Sequence, residues 1–111
     1  MLTLGLADVF PSRVPVEVGT RPDSATVGGS VPGVDGLNWT SLARCESGGN
    51  PRAVNPAGYY GLYQFSPGTW RRVGGSGLPS AAPPAEQLYR AKLLYQRGGA
   101  GQWGCGRHLF D

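Results

Sequence analysis

Two cysteines, Cys45 and Cys105, bracket most of the aromatic residues of this 111-residue chain. A bridge between them would close a loop of about 60 residues and would stabilise the fold by on the order of 4 kcal/mol through the unfolded state. A single pair of cysteines in so short a chain fits one disulfide and an oxidising compartment, two unlinked buried thiols being the alternative. Zinc is a poor fit, because His108 is the only histidine and the cysteines lack metal-ligand spacing. No metal and no cofactor is expected. The length suits one domain, and no apolar run is long enough for a membrane span.

Punctuation by glycine and proline divides the chain. Residues 1 to about 36 read as a flexible, disordered N-terminal arm: Pro11, Pro15, Pro22 and Pro32 break helices, and Gly28-Gly29-Ser30 resembles a linker. The alternation of Val14, Val16 and Val18 could supply an edge strand. The folded unit is expected to span 37–111. Asn38 is a good N-cap for a helix that places Trp39, Leu42, Ala43 and Glu46 on one face, with Gly48-Gly49 ending it. Gly58 to Phe65 is a glycine-punctuated aromatic stretch, either a short hairpin or the entry to a buried helix. Ser66-Pro67 caps a second helix through Trp70 and Val73, and Pro84 opens the longest one, with Leu88, Ala91, Leu94 and Tyr95 as its buried stripe. Trp39, Trp70 and Trp103 are expected in the core. The unit is predicted to be mainly α.

Charge is uneven. Before Leu37 the acids Asp8, Glu17, Asp23 and Asp35 outnumber Arg13 and Arg21, whereas from Leu37 onward eight Lys and Arg face only Glu46, Glu86 and Asp111. A basic domain favours an anionic partner, or simply carries a solvated basic face as the arginines Arg44, Arg52, Arg71 and Arg72 suggest. No nucleic-acid motif accompanies the charge. Met1 to Ala7 lacks a basic n-region and Asp8 interrupts its apolar stretch, so the start does not read as a signal peptide.

The chemistry converges on Glu46, in the run Cys45-Glu46-Ser47-Gly48-Gly49-Asn50. Asp111 is terminal, and Glu86 sits in the first turn of the long helix, where a carboxylate serves the helix dipole. A carboxyl on a half-apolar helix face is partly desolvated, which favours its neutral, proton-donating form. Glycosidic cleavage ordinarily takes two carboxyl groups. A lone acid suits a reaction in which the sugar supplies its own nucleophile.

The stretch from Trp39 to Cys105 resembles the resuscitation-promoting factor domain of actinobacteria, a relative of lysozymes and soluble lytic transglycosylases. The resemblance rests on Cys45 to Asn50, Tyr59-Tyr60-Gly61, Gln64-Phe65, Thr69-Trp70, Gly74-Gly75, Glu86-Gln87, and Trp103 shortly before Cys105. It implies an α+β lysozyme-like fold, a Cys45–Cys105 disulfide, Glu46 as the catalytic acid, and Asn50, Tyr59, Tyr60, Gln64, Thr69 and Gln96 as residues that bind glycan. The implied activity is cleavage of the MurNAc-GlcNAc bond of peptidoglycan by lytic transglycosylation, in which the C6 hydroxyl of N-acetylmuramic acid attacks its own C1. A muramidase using water, a non-catalytic cell-wall glycan-binding module and a phage-virion component are the alternatives. The expected setting is secreted or cell-wall, with virion delivery the other route. The expected partner is the glycan strand, met by a monomer, with a second cell-wall hydrolase as a possible protein partner. The chain departs from the family at Pro51 to Pro56, which lacks the tryptophan of many members, and at Ser66, where some carry an acid.

Overall fold

The structure, a computed structural model, describes residues 29–111. It is mainly helical with one short antiparallel hairpin. Helix α1 (Trp39–Ser47) is followed by strands β1 (Val54–Asn55) and β2 (Tyr59–Tyr60), helix α2 (Pro67–Arg72), and helix α3 (Pro84–Gly98). Short 3-10 turns occupy Pro79–Ala81, Gly99–Gln102 and Gly106–Phe110. The hairpin pairs Val54 with Tyr60 and Asn55 with Tyr59, and an isolated bridge joins Tyr60 to Phe65. The glycine-punctuated stretch is thus a hairpin strand and turn, not a helix entry.

Local chemistry sets the helix ends. The Asn38 side chain accepts the Ser41 amide at 3.0 Å and so caps α1. At the other end Gly48 takes φ +69°, and the amides of Gly48 and Gly49 return to the carbonyls of Arg44 and Ala43. That left-handed residue closes the helix one turn after the core is met. The Ser66 hydroxyl caps α2 by accepting the Thr69 amide at 3.2 Å, with Pro67 in the first helical position.

The core is aromatic. Trp39 stands at its centre with Tyr63, Tyr95 and Trp103 edge-on around it, their centroids 6.0, 6.1 and 5.9 Å away. Phe65 packs against Trp70 at 5.1 Å. Each indole N–H finds a carbonyl, Trp39 that of Val34 at 2.8 Å, Trp70 that of Ser76 at 3.1 Å and Trp103 that of Tyr63 at 3.1 Å. Burial of these rings without an orphaned donor is what makes them affordable in a small domain.

Two features go beyond the sequence reading. Before Leu37, Val31 and Val34 are 4 % and 5 % exposed and belong to the core, and Asp35 accepts hydrogen bonds from Ser30, the Val31 amide and Lys92. The prolines and glycines there shape a packed turn rather than a loose arm. The valine alternation at 14 to 18 lies outside the described residues. On α3 the expected stripe is present, with Ala91 and Leu94 buried and Leu88 and Tyr95 half-buried against the core, but Gln87 and Lys92 are buried as well. Polar residues took core positions because each has a partner: Lys92 reaches Asp35 at 2.9 Å, and Gln87 is fully hydrogen-bonded.

Candidate active site

Glu46 occupies the last turn of α1. The helix face that buries Trp39, Leu42 and Ala43 brings it half-buried to the edge of the core. Its neighbour Cys45 is disulfide-bonded to Cys105, with Cα atoms 6.1 Å apart. The Cys105 backbone amide donates to Glu46 Oε2 at 3.1 Å. Bridge and hydrogen bond therefore fix the carboxylate from two sides, one through its own backbone and one at its oxygen. The C-terminal turn that carries Cys105 is itself pinned to the start of α1, where the Asn38 amide donates to the Leu109 carbonyl at 2.8 Å.

The described residues contain four side-chain carboxylates, Asp35, Glu46, Glu86 and Asp111. Asp35 holds Lys92 at 2.9 Å, Glu86 holds Arg90 at 3.3 Å, and Asp111 meets His108 at 2.9 Å. Among the described residues Glu46 alone has no basic partner. Its one hydrogen bond among the described residues is to a main-chain N–H, so no cationic side chain there competes with a ligand for its oxygens.

The other expected site residues lie on α1's exit turn, the hairpin and its turn, α2 and α3. The Asn50 side-chain oxygen Oδ1 accepts the Arg52 amide at 2.9 Å and orders the turn after α1. Tyr59 is 45 % exposed on β2 and Tyr60 half-buried beside it. Gln64 holds a left-handed backbone at φ +54° and donates from Nε2 to the Gly61 carbonyl at 3.1 Å. The Thr69 hydroxyl accepts from Ser66 at 3.0 Å and from Arg72 at 3.1 Å, so it is engaged within its own helix. Gln96 is exposed near the end of α3. Among the described residues none of these side chains is hydrogen-bonded to Glu46. Tyr63, a third tyrosine in the glycine-flanked segment, is core: it is 4 % exposed, and burial pushes its phenol up to about 12. Arg44, Arg52, Arg71 and Arg72 are exposed, as a solvated basic face requires.

Sequence reasoning missed the Cys105 amide, since a main-chain donor leaves no signature of its own. The motif pair Glu86-Gln87 did carry a signal for Gln87, but nothing in it showed that the glutamine is buried. No cluster of metal-ligating side chains occurs among the described residues, nor is any helix there long and apolar enough to cross a membrane.

A disulfide-anchored glutamate at the end of a short helix, in a chain that also carries a tyrosine hairpin, coincides with a family match. The model of the transglycosylase-like domain matches residues 33–106, and the chain belongs to that family. Its match begins before Leu37, in accord with the packed turn at Val34. Among curated proteins the chain is similar to the resuscitation-promoting factor RpfE of Mycobacterium tuberculosis, 42 % identical over 78 residues covering 69 % of this chain and 45 % of the relative. It is 41 % identical to the resuscitation-promoting factor Rpf of Micrococcus luteus over 88 residues, 76 % of this chain and 39 % of that protein. It is also 45 % identical to the probable transglycosylase SceD of Staphylococcus aureus over 67 residues, 56 % and 29 % of the two chains. The chain thus spans less than half the length of each of these relatives.

Proposed function

We propose that this domain cleaves the MurNAc-GlcNAc glycosidic bond of peptidoglycan by lytic transglycosylation, with Glu46 as its single acid and base. The observation that carries the reading is the isolation of Glu46: it is the one carboxylate among the described residues without a basic partner, and it is held in place by a neutral donor, the Cys105 amide at 3.1 Å. Protonated Glu46 donates its proton to the glycosidic oxygen as the bond to C1 of N-acetylmuramic acid breaks. The carboxylate then removes the proton of the C6 hydroxyl while that oxygen bonds to C1. The acid is regenerated, no water is consumed, and the product is a 1,6-anhydro sugar. One carboxyl group suffices because the substrate brings the nucleophile.

Tyr59 and Tyr60 supply surfaces that stack on sugar faces, and Asn50, Gln64, Thr69 and Gln96 supply polar groups for N-acetyl and hydroxyl contacts. The domain acts outside the cytoplasm, at the cell wall, where the disulfide persists. Glu46→Gln keeps the shape and loses the proton, so clearing of purified peptidoglycan should fall by roughly 10²–10⁴-fold. Mass spectrometry of the wild-type digest should show anhydro products; hydrated reducing ends would assign a muramidase instead. Clearing by Glu46→Gln at the wild-type rate would remove the enzyme and leave a glycan-binding module.

A further inference from the structure

Gln87 lies on α3 at 0 % exposure, and its carboxamide oxygen and both of its N–H donors are engaged. Oε1 accepts the Leu62 amide at 2.7 Å, while Nε2 donates to the carbonyls of Pro51 at 3.0 Å and Ala82 at 2.9 Å. These partners belong to three separate loops: the turn that follows Asn50, the turn that follows Tyr59 and Tyr60, and the exit of the Pro79–Ala81 turn. One acceptor and both donors are required at once, a combination that glutamate and methionine lack. Pro51 and Ala82 also line a surface cavity of about 710 Å³, with Arg52 and Pro83 among the other lining residues. A single nitrogen therefore bridges the two walls of that cavity.

The backbone is shaped to the same amide. Gly61 has φ +81°, and a Cβ there would come within 2.4 Å of Gln87 Oε1. Only glycine lets the turn after β2 approach so closely. Next to it, the Gly61 amide donates to the Ala53 carbonyl at 2.9 Å, so the hairpin and the Asn50 turn are tied to each other as well as to α3.

We propose that Gln87 is a positioning residue for substrate binding: its amide fixes the hairpin tyrosines and the Asn50 turn relative to one another and so sets affinity for glycan without touching it. This rests on the glycan-cleaving reading above. Geometry, not fold stability, is what the amide supplies to the site, since sub-ångström placement of binding groups governs affinity and rate.

The test uses the full chain with Gln87→Met and Gln87→Asn, the latter keeping the amide but withdrawing it by one methylene. Ala91→Gly, at a fully buried position on the same helix, serves as a stability control. All are assayed well below their thermal midpoints. Binding of a soluble MurNAc-GlcNAc oligomer is measured in the Glu46→Gln background, and KM and kcat in the active protein. Both Gln87 variants should raise Kd and KM roughly tenfold or more, with kcat within about twofold, while Ala91→Gly moves neither. If Gln87→Met does not fold, Gln87→Asn decides. Unchanged affinity, or losses that simply follow thermal stability as in Ala91→Gly, would overturn the proposal. Absence of oligomer binding by the Glu46→Gln parent itself would overturn it together with the glycan reading, and is recognised because it occurs before Gln87 is altered.

Discussion

At Glu46 the sequence and the structure contribute different parts of one device. Its place on the helix follows from the spacing of Trp39, Leu42 and Ala43, but the Cys105 amide at 3.1 Å arrives from 59 residues away. Gln64 shows the same division. Its position in the motif marks it, yet only the coordinates reveal a non-glycine residue at φ +54°, a conformation that costs about 1–2 kcal/mol for an L-residue. A strained residue is retained when its side chain has work to do. Gln64→Gly removes the strain and also the bond from Nε2 to Gly61, and it adds unfolded-state entropy, so stability should change by about 1 kcal/mol or less. Activity on peptidoglycan should nevertheless fall roughly tenfold or more. A variant with unchanged activity and unchanged stability would mean that the side chain serves only its own turn.

Among the elements, α1 and α2 were legible because their ends are written in side chains: Asn38 and Ser66 as caps, Pro67 in the first turn, Gly48 at the stop. Helix α3 was legible in extent from Pro84 to Gly98 and in its apolar stripe, but not in the burial of Gln87 and Lys92, which satisfy themselves with partners distant in sequence. The packing of the turn at 30–36 is likewise not written locally. Its packing comes from Val31 and Val34 in the core and from Asp35, whose hydrogen bonds with Ser30, the Val31 amide and Lys92 lower its carboxyl pKa from the ordinary 3.8 to about 2. A carboxylate depressed in the folded state stabilises fully above its unfolded value and loses that contribution as pH falls through the folded one. Thermal stability should therefore decline between about pH 4 and pH 2 in part through this group. Asp35→Asn should lower stability at neutral pH and flatten that part of the acid limb. Parallel acid profiles for the two proteins, measured by circular dichroism melts, would show that the latch carries no weight.

For the whole molecule the disulfide links the first and last parts of the folded chain across 60 residues. Just outside the loop it closes, Trp39 anchors the edge-to-face cluster and the C-terminal turn reaches back to Asn38. Removing it through Cys45→Ala with Cys105→Ala should cost about 2–5 kcal/mol, a fall of roughly 10 °C or more in midpoint for a domain of this size. Activity should fall even at temperatures where the variant remains folded, because the segment bearing the Cys105 amide is no longer fixed against Glu46. Full activity in a folded, bridge-free chain would show that noncovalent packing alone positions that amide.

The sequence by itself determined the helix boundaries, the three core tryptophans, the pairing of the only two cysteines and the residue around which the chemistry is argued. Each of those follows from a rule of short range or small number: a cap, a period, a pair with no competing partner. Tertiary structure decided which polar groups went inside and what held them. Lys92 is buried because Asp35 is near, Gln87 because three loops converge on one amide, and Glu46 is fixed because a main-chain N–H comes to it from the other end of the domain. Burying a polar group is favourable only when its partner is in place, and the partner's place is a property of the folded chain.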